Sequence, residues 1–209
     1  MARRLVVAVV AHPARVAAAD QLAAFLGAEV FLDSAGLGAW GNHARALAWA
    51  AEQDASHVIV VQDDAEPVPR FLELAAGAIE RRPVGPIGFY VGRNRPRAAQ
   101  VERAVRAAEQ LRASWLDADS LLWGVATALP VGDLPALLEW APSSELPYDA
   151  RVGRWYRQKG TRVRYTWPSL VDHADWPSVI PDRPRLQPRK AWKVGEPASW
   201  DGPVVRIGL

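Results

Sequence analysis

The chain has 209 residues, of which 50% are hydrophobic and 23% charged. This balance excludes a disordered polymer and leaves room for one globular core. It has no cysteine, which excludes internal disulfides, thiolate metal sites and thiol nucleophiles. No apolar stretch reaches the roughly 18 residues of a membrane span.

The run Leu5 to Ala11 is short and ends at His12-Pro13 without a small-residue cleavage site, so Arg4 to Ala11 reads as a first buried strand, not a secretion signal. With the lack of cysteine, this fits a cytoplasmic protein. Ala14 to Leu26 has helical spacing, with Val16, Ala19, Ala23 and Leu26 on one face and Gly27 as its stop. Ala28 to Leu32 reads as a second strand ending at Asp33, and Gly36-Leu37-Gly38 as a flexible loop. Asn42 is the expected N-cap of a helix running to about Gln53. His57 to Gln62 is a third strand, Pro69 to Arg81 a helix, and Pro86 to Val91 a fourth strand. This βαβαβ order predicts an α/β protein with a Rossmann-like, mostly parallel sheet sandwiched by helices.

Beyond residue 92 the pattern is less regular. Arg97 to Arg112 reads as a helix and Ser120 to Leu129 as a strand mixed into the sheet. Asp133 to Trp140 and Tyr148 to Gln158 read as helices, and Thr161 to Thr166 as a strand. From Trp176 onward there are 6 prolines in 34 residues, with Trp176, Trp192 and Trp200. That composition predicts an irregular extended tail pinned to the body by its tryptophans.

The most pointed feature is Val58-Ile59-Val60-Val61-Gln62-Asp63-Asp64-Ala65-Glu66-Pro67. A buried strand ends in three carboxylates, at the strand end where open α/β sheets place their ligand sites. Mutual repulsion there calls for a counter-charge. A hard divalent cation, Mg²⁺ or Mn²⁺, bridging a nucleotide diphosphate would supply one. Asp64 with Glu66, or Asp63 with Asp64, would hold it. A polar turn leading into a helix explains the same residues without a ligand. Charge is unevenly shared: residues 1–80 carry 5 basic and 10 acidic side chains, residues 81–209 carry 20 and 13. A basic half suits a polyanion or a diphosphate, and also an ordinary solvated surface.

Gly41-Asn42-His43-Ala44-Arg45 opens the helix before the acidic strand, and Gln62-Asp63-Asp64-Ala65 ends that strand. Far downstream, Pro147-Tyr148-Asp149-Ala150-Arg151 is followed by Trp167-Pro168-Ser169-Leu170-Val171-Asp172-His173. In this order the segments resemble the A-type fold of sugar-nucleotide-dependent glycosyltransferases, nearest the lipooligosaccharide and collagen-galactosyltransferase-like group. That group has Glu-Asp-Asp-Ala where this chain has Gln62-Asp63-Asp64-Ala65. The resemblance spans roughly residues 4–175, with its motifs at 40–66 and 147–173.

The resemblance implies a metal-dependent transferase that moves a sugar from a UDP- or GDP-sugar to a hydroxyl on a glycan, a protein or modified DNA. It implies one catalytic domain over 1–175, with a nucleotide-binding half 1–92 and an acceptor half 93–175; the tail 176–209, packed on the body, lies outside the resemblance. His173 falls where a late histidine completes the metal shell beside Asp64 and Glu66. Asp149 falls where a general base would stand, which would make the reaction inverting; capping of its own helix is the plain alternative. Ala11, His12 and Asp33 would meet the base and ribose, with Asp63, Asn42 and Arg45 near the phosphates. The plain alternatives are a turn at His12, an Asx-turn at Asp33, a surface pair of Arg45 with Glu52 or Asp54, and packing of His173 against Trp176. Trp123 reads as core or as a sugar-stacking floor, and Arg151, Arg154 and Arg157 as one solvated basic edge.

Two other classes fit parts of the chain. A nucleotidyltransferase would also want paired acids at a strand end. A non-catalytic nucleic-acid-binding protein would use the basic half and the interleaved tryptophans. Neither a Gly-x-x-x-x-Gly-Lys loop nor Gly-x-Gly-x-x-Gly occurs, which weighs against kinase and dehydrogenase chemistry.

Overall fold

The computed structural model describes residues 4–94, 96–141, 146–177, 179 and 188–208. Three parallel strands form one wing of its main sheet: β1 (Leu5–Ala11), β2 (Glu29–Leu32) and β3 (His57–Gln62). β1 lies between the other two, with Val9 opposite both Val30 and Val61. Runs of Val and Ile, buried on both faces, suit this central position. Helix α1 (Val16–Leu26) joins β1 to β2, and α2 (Gly38–Ala51) joins β2 to β3. The chain steps outward to β2, then back across β1 to β3. Right-handed crossovers therefore put α1 and α2 on opposite faces and make the carboxyl ends of β1 and β3 a switch point.

α1 ends at Gly27 with φ 60°, a left-handed cap that glycine adopts without strain. Its buried face is Ala19, Leu22, Ala23 and Leu26, whereas Val16, expected on that face, is exposed. Asn42 does not cap α2. The helix begins at Gly38, and the Asp33 carboxylate accepts hydrogen bonds from Leu37 N (2.7 Å) and Gly38 N (2.9 Å). The acid that ends β2 thus satisfies the first turn of the next helix.

After β3, the short strand β4 (Ala65–Pro67) leaves the main sheet. The remaining wing is mixed. Its elements in chain order are α3 (Phe71–Arg81), β5 (Ile87–Gly88), α4 (Ala98–Gln110), β6 (Trp115–Ala118), β7 (Ala126–Pro130), α5 (Leu134–Trp140), α6 (Tyr148–Gln158) and β8 (Val163–Thr166). β9 (Val171–His173) then pairs with β4, and β10 (Val204–Arg206) returns to the main sheet. The order of that sheet is β10-β6-β8-β5-β7-β3-β1-β2. β3 pairs with antiparallel β7, not with the expected fourth strand, which regularises only over Ile87–Gly88. β5 pairs antiparallel with β7 and parallel with β8. The fold is thus α/β with a mostly parallel, mixed eight-stranded sheet. Among the described residues no helix is long and apolar enough to cross a membrane.

The end of the chain is less irregular than its prolines suggest. β10 pairs parallel with β6 as the edge strand. Trp200 packs over Gly77 of α3, and its carbonyl accepts from Trp115 Nε1 at 3.0 Å. Trp192 packs on the core, and its main-chain N–H bonds Val91 O at 2.9 Å. Trp176, by contrast, is 43% exposed. Tail residues 178, 180–187 and 209 lie outside the described residues.

α6 approaches the chain before Leu121 closely. A Cβ on Gly153 would collide with Leu121 N and Ser120 Oγ. Alanine is the better helix former by about 1 kcal/mol, so Gly153→Ala tests the contact. We expect a net loss of roughly 1–3 kcal/mol, read as a lower denaturant midpoint at unchanged slope. A stabilised variant would show that α6 has room there.

Candidate functional site

The small second sheet builds the site. β4 and β9 are antiparallel, aligning Ala65 with His173 and Glu66 with Asp172. Ser169 fixes this return: it is fully buried, and its Oγ accepts from Val91 N at 2.9 Å. Ala174 N then donates to Asp64 O at 2.7 Å. Asp63 and Asp64 occupy the turn between β3 and β4, at the switch point, with Asp63 N bonded to Val10 O at 3.1 Å. Residues more than a hundred positions apart thus meet beside the acidic pair.

Both aspartates are buried. Asp63 Oδ2 accepts from His12 N (2.8 Å) and Oδ1 from Arg15 Nη1 (2.9 Å). The same Arg15 nitrogen lies 2.6 Å from Asp64 Oδ2, so one guanidinium bridges both carboxylates. Arg15 Nη2 also donates to Pro177 O at 2.9 Å, and the guanidinium lies over the Trp176 ring. Burial opposes the charge of Arg15, but its bonds to Asp64 and Asp63 outweigh that cost and raise its pKa. Burial raises the pKa of Asp63, offset in part by the His12 N–H.

His173 completes the cluster. Its Nδ1 lies 2.7 Å from Ala174 O. A carbonyl only accepts, so Nδ1 carries the proton. Burial lowers the His173 pKa, against the pull of Asp64, which favours the neutral ring. In that form the Nε2 lone pair faces Asp64 Oδ2, 3.4 Å away. Two acceptors then confront one another, and the other Asp64 oxygen, Oδ1, is buried with no hydrogen-bond partner among the described residues. A histidine that donates one N–H to a backbone carbonyl and aims the other nitrogen at a carboxylate is disposed as a metal ligand would be. Even so, among the described residues no group of three or more His, Asp or Glu is arranged to hold a metal alone.

Glu66 stands apart from this cluster. It alternates outward from β4, is exposed, and bonds Lys190 Nζ at 2.9 Å. Strand alternation turns it away from the two aspartates. Lys190 also pairs with Asp172 (3.2 Å), and Arg189 Nη2 lies 3.9 Å from Asp64 Oδ2. The 188–193 segment thus delivers basic groups to the acidic strand end. Lys193 pairs with Glu109, Arg162 and Arg164 with Asp117, and Arg97 with Asp119. Much of the basic half is therefore balanced within the chain.

The residues expected around a nucleotide are largely engaged with the backbone. Ala11 is buried and its carbonyl accepts from Asp33 N. His12 is exposed, its Nδ1 accepting from Ala14 N at 3.1 Å. Asn42 is buried inside α2 and its Nδ2 donates to Phe31 O (2.6 Å). Arg45 Nη1 donates to Leu32 O at 3.1 Å, in place of the surface pair with Glu52 or Asp54. Asn42 and Arg45 thus tie α2 to the end of β2.

Asp149 lies at the start of α6, and its Oδ1 accepts from Ala150 N at 2.8 Å. Its neighbour Tyr148 stacks on His43 of α2, with centroids 3.8 Å apart. A Cβ on Gly124 would lie 3.6 Å from the Cβ of Asp149, and Val125 O accepts from Gln62 N at 2.8 Å. This chain of contacts links Asp149 to the loop flanking the end of β3. Trp123 is buried, edge-on to Tyr90 and Tyr165. Arg154 and Arg157 are solvated, but Arg151 is buried. It donates to Leu146 O and Ala141 O, at 3.0 Å each, and lies over the Trp40 ring.

Arg15 and Arg189 are the site residues that sequence reasoning missed. A basic residue three positions beyond His12, which follows β1, was the available signal for Arg15. Nothing local marks Arg189. No family model matches the chain, and no curated protein matches it either. Fold and site define a class by themselves: an α/β chain with a buried aspartate pair and a buried histidine at the switch point of its parallel strands.

Proposed function

We propose that this protein is a metal-dependent glycosyltransferase of the A-type fold, moving a sugar from a UDP- or GDP-sugar to a hydroxyl acceptor. The observation that carries the reading is the Asp64–His173 pairing: His173 Nε2 lies 3.4 Å from a buried carboxylate whose other oxygen has no hydrogen-bond partner among the described residues. Asp64 and His173 would hold Mn²⁺ or Mg²⁺, with Asp63 beside them. Two protein ligands suffice when diphosphate oxygens and water complete the shell, as is usual for Mg²⁺ with nucleotides. When bound, the cation stabilises charge building on the leaving diphosphate. Asp149 would take the proton of the acceptor hydroxyl, and a single displacement of this kind inverts the anomeric centre.

The internal pairing of Lys190, Lys193, Arg162, Arg164 and Arg97 weighs against a nucleic-acid-binding protein. The test is a panel of UDP- and GDP-sugars with Mn²⁺ or Mg²⁺, read as sugar released or transferred, alongside melting curves with Mn²⁺ plus UDP or GDP. Turnover of a donor and a rise in Tm that needs metal and nucleotide together support the proposal. Asp149→Asn should slow transfer while leaving donor affinity unchanged. Salt-sensitive oligonucleotide binding without metal, and no turnover, would replace it with the binding-protein reading.

A further inference from the structure

We propose that Arg15 is a built-in counter-ion that occupies the cation site in the metal-free protein, and that a divalent cation binds by displacing its guanidinium. The inference rests on the metal reading of the Asp63–Asp64–His173 cluster. Its own ground is the geometry of Arg15. A single nitrogen, Nη1, lies 2.9 Å from Asp63 Oδ1 and 2.6 Å from Asp64 Oδ2. The side chain is only 9% exposed, so its charge depends on these two carboxylates for compensation. Asp64 Oδ2 is also the oxygen that His173 Nε2 faces.

A dication on Asp64 Oδ2 would sit at about 2.0–2.1 Å from it. Two cations would then share one oxygen in a buried setting, where screening is weak. Their repulsion, and the preference of the carboxylate pair for the higher charge, both drive the guanidinium out. A cavity of about 300 Å³ lined by Gln21, Phe25 and Trp176 lies beside Asp63. Release also breaks the bond to Pro177 O and the contact with Trp176. Metal entry is therefore coupled to the start of the tail.

The experiment titrates the intact protein with Mn²⁺ alone, following free Mn²⁺ by electron paramagnetic resonance. Wild type, Arg15→Ala, Arg15→Gln and Arg189→Ala are compared, and each is melted with and without Mn²⁺. Removing Arg15 is expected to tighten Mn²⁺ binding by about ten-fold or more, within the usual range of coupling between linked sites. The metal-free Arg15 variants should melt lower than wild type, and saturating Mn²⁺ should close that gap. Arg189→Ala removes a cation 3.9 Å from Asp64 that does not bridge the pair, so its gain should be smaller. Arg15→Gln keeps polar bulk without charge and stands in if the alanine variant does not fold. Equal or weaker binding by the Arg15 variants, or an equal gain in Arg189→Ala, overturns the role of Arg15 and leaves the metal reading intact. If no protein in the series binds Mn²⁺ even when UDP or GDP is added, the metal reading falls and this inference with it.

Discussion

Asp64→Asn is expected to lower kcat for sugar transfer by about a thousand-fold or more, with the fold intact. A Lewis-acid metal contributes several kcal/mol of charge stabilisation at the leaving group, and each 1.36 kcal/mol is ten-fold in rate. Asparagine keeps the shape of the side chain but removes the anion that faces His173 Nε2 and Arg15. The main-chain bond from Ala174 N to Asp64 O does not depend on the side chain, so β4 and β9 should still pair. The variant should also lose the rise in Tm given by Mn²⁺ with nucleotide. Glu66→Gln is the internal comparison. Its carboxylate is exposed on Lys190, and we expect a change of a few-fold at most. Full activity in Asp64→Asn would remove the metal from the mechanism.

Acid is expected to destabilise the protein through His43 by about 3 kcal/mol between pH 7 and pH 4. The His43 ring is enclosed between α2 and Tyr148 of α6. Its Nδ1 donates to Ala39 O at 2.6 Å, and its Nε2 has no partner among the described residues. Burial lowers its pKa to about 4 from 6.5. The unfolded chain therefore binds the extra proton between pH 6.5 and 4 and the folded one does not. Stability is complete above about pH 6.5 and falls as pH drops toward 4, by about 1.36 kcal/mol for each pH unit in that window. His43→Phe keeps a ring against Tyr148 and cannot charge. Chemical denaturation at pH 7, 5.5 and 4 should show a shallower loss in the variant by that amount. Contributions from His173 and Asp63 cancel in the difference. An equal slope in both proteins would mean that His43 is not held neutral.

The wing β1-α1-β2-α2-β3 was legible because it is local and periodic. β-branched runs mark the strands, and Gly27 marks the end of α1. The acidic strand end was legible for the same reason, since a strand's carboxyl end fixes where the next residues stand. The antiparallel insertion of β7 beside β3 was not legible, because neighbour choice within a sheet depends on long-range packing and leaves no local mark. Nor was β10, whose Val204-Val205-Arg206 is too short to stand out after a proline. Asn42 and Asp33 show how local rules mislead. Both are good caps in isolation, but Asp33 took the end of α2 and Asn42 went into its interior to tie down Phe31 O. The cluster around Asp64 needed β9 to return against β4 and the 188–193 segment to follow it, so Arg189 could not be read from its own neighbourhood.

The central claim is that the aspartate pair and His173 hold a divalent cation on a nucleotide diphosphate. A crystal grown with Mn²⁺ and UDP or GDP tests it most directly, through the anomalous signal of manganese. The account predicts a peak bonded to Asp64 and His173 Nε2 and to diphosphate oxygens, with the Arg15 guanidinium moved off the carboxylates. Nucleotide bound elsewhere, or no peak with Arg15 still bridging Asp63 and Asp64, would contradict it.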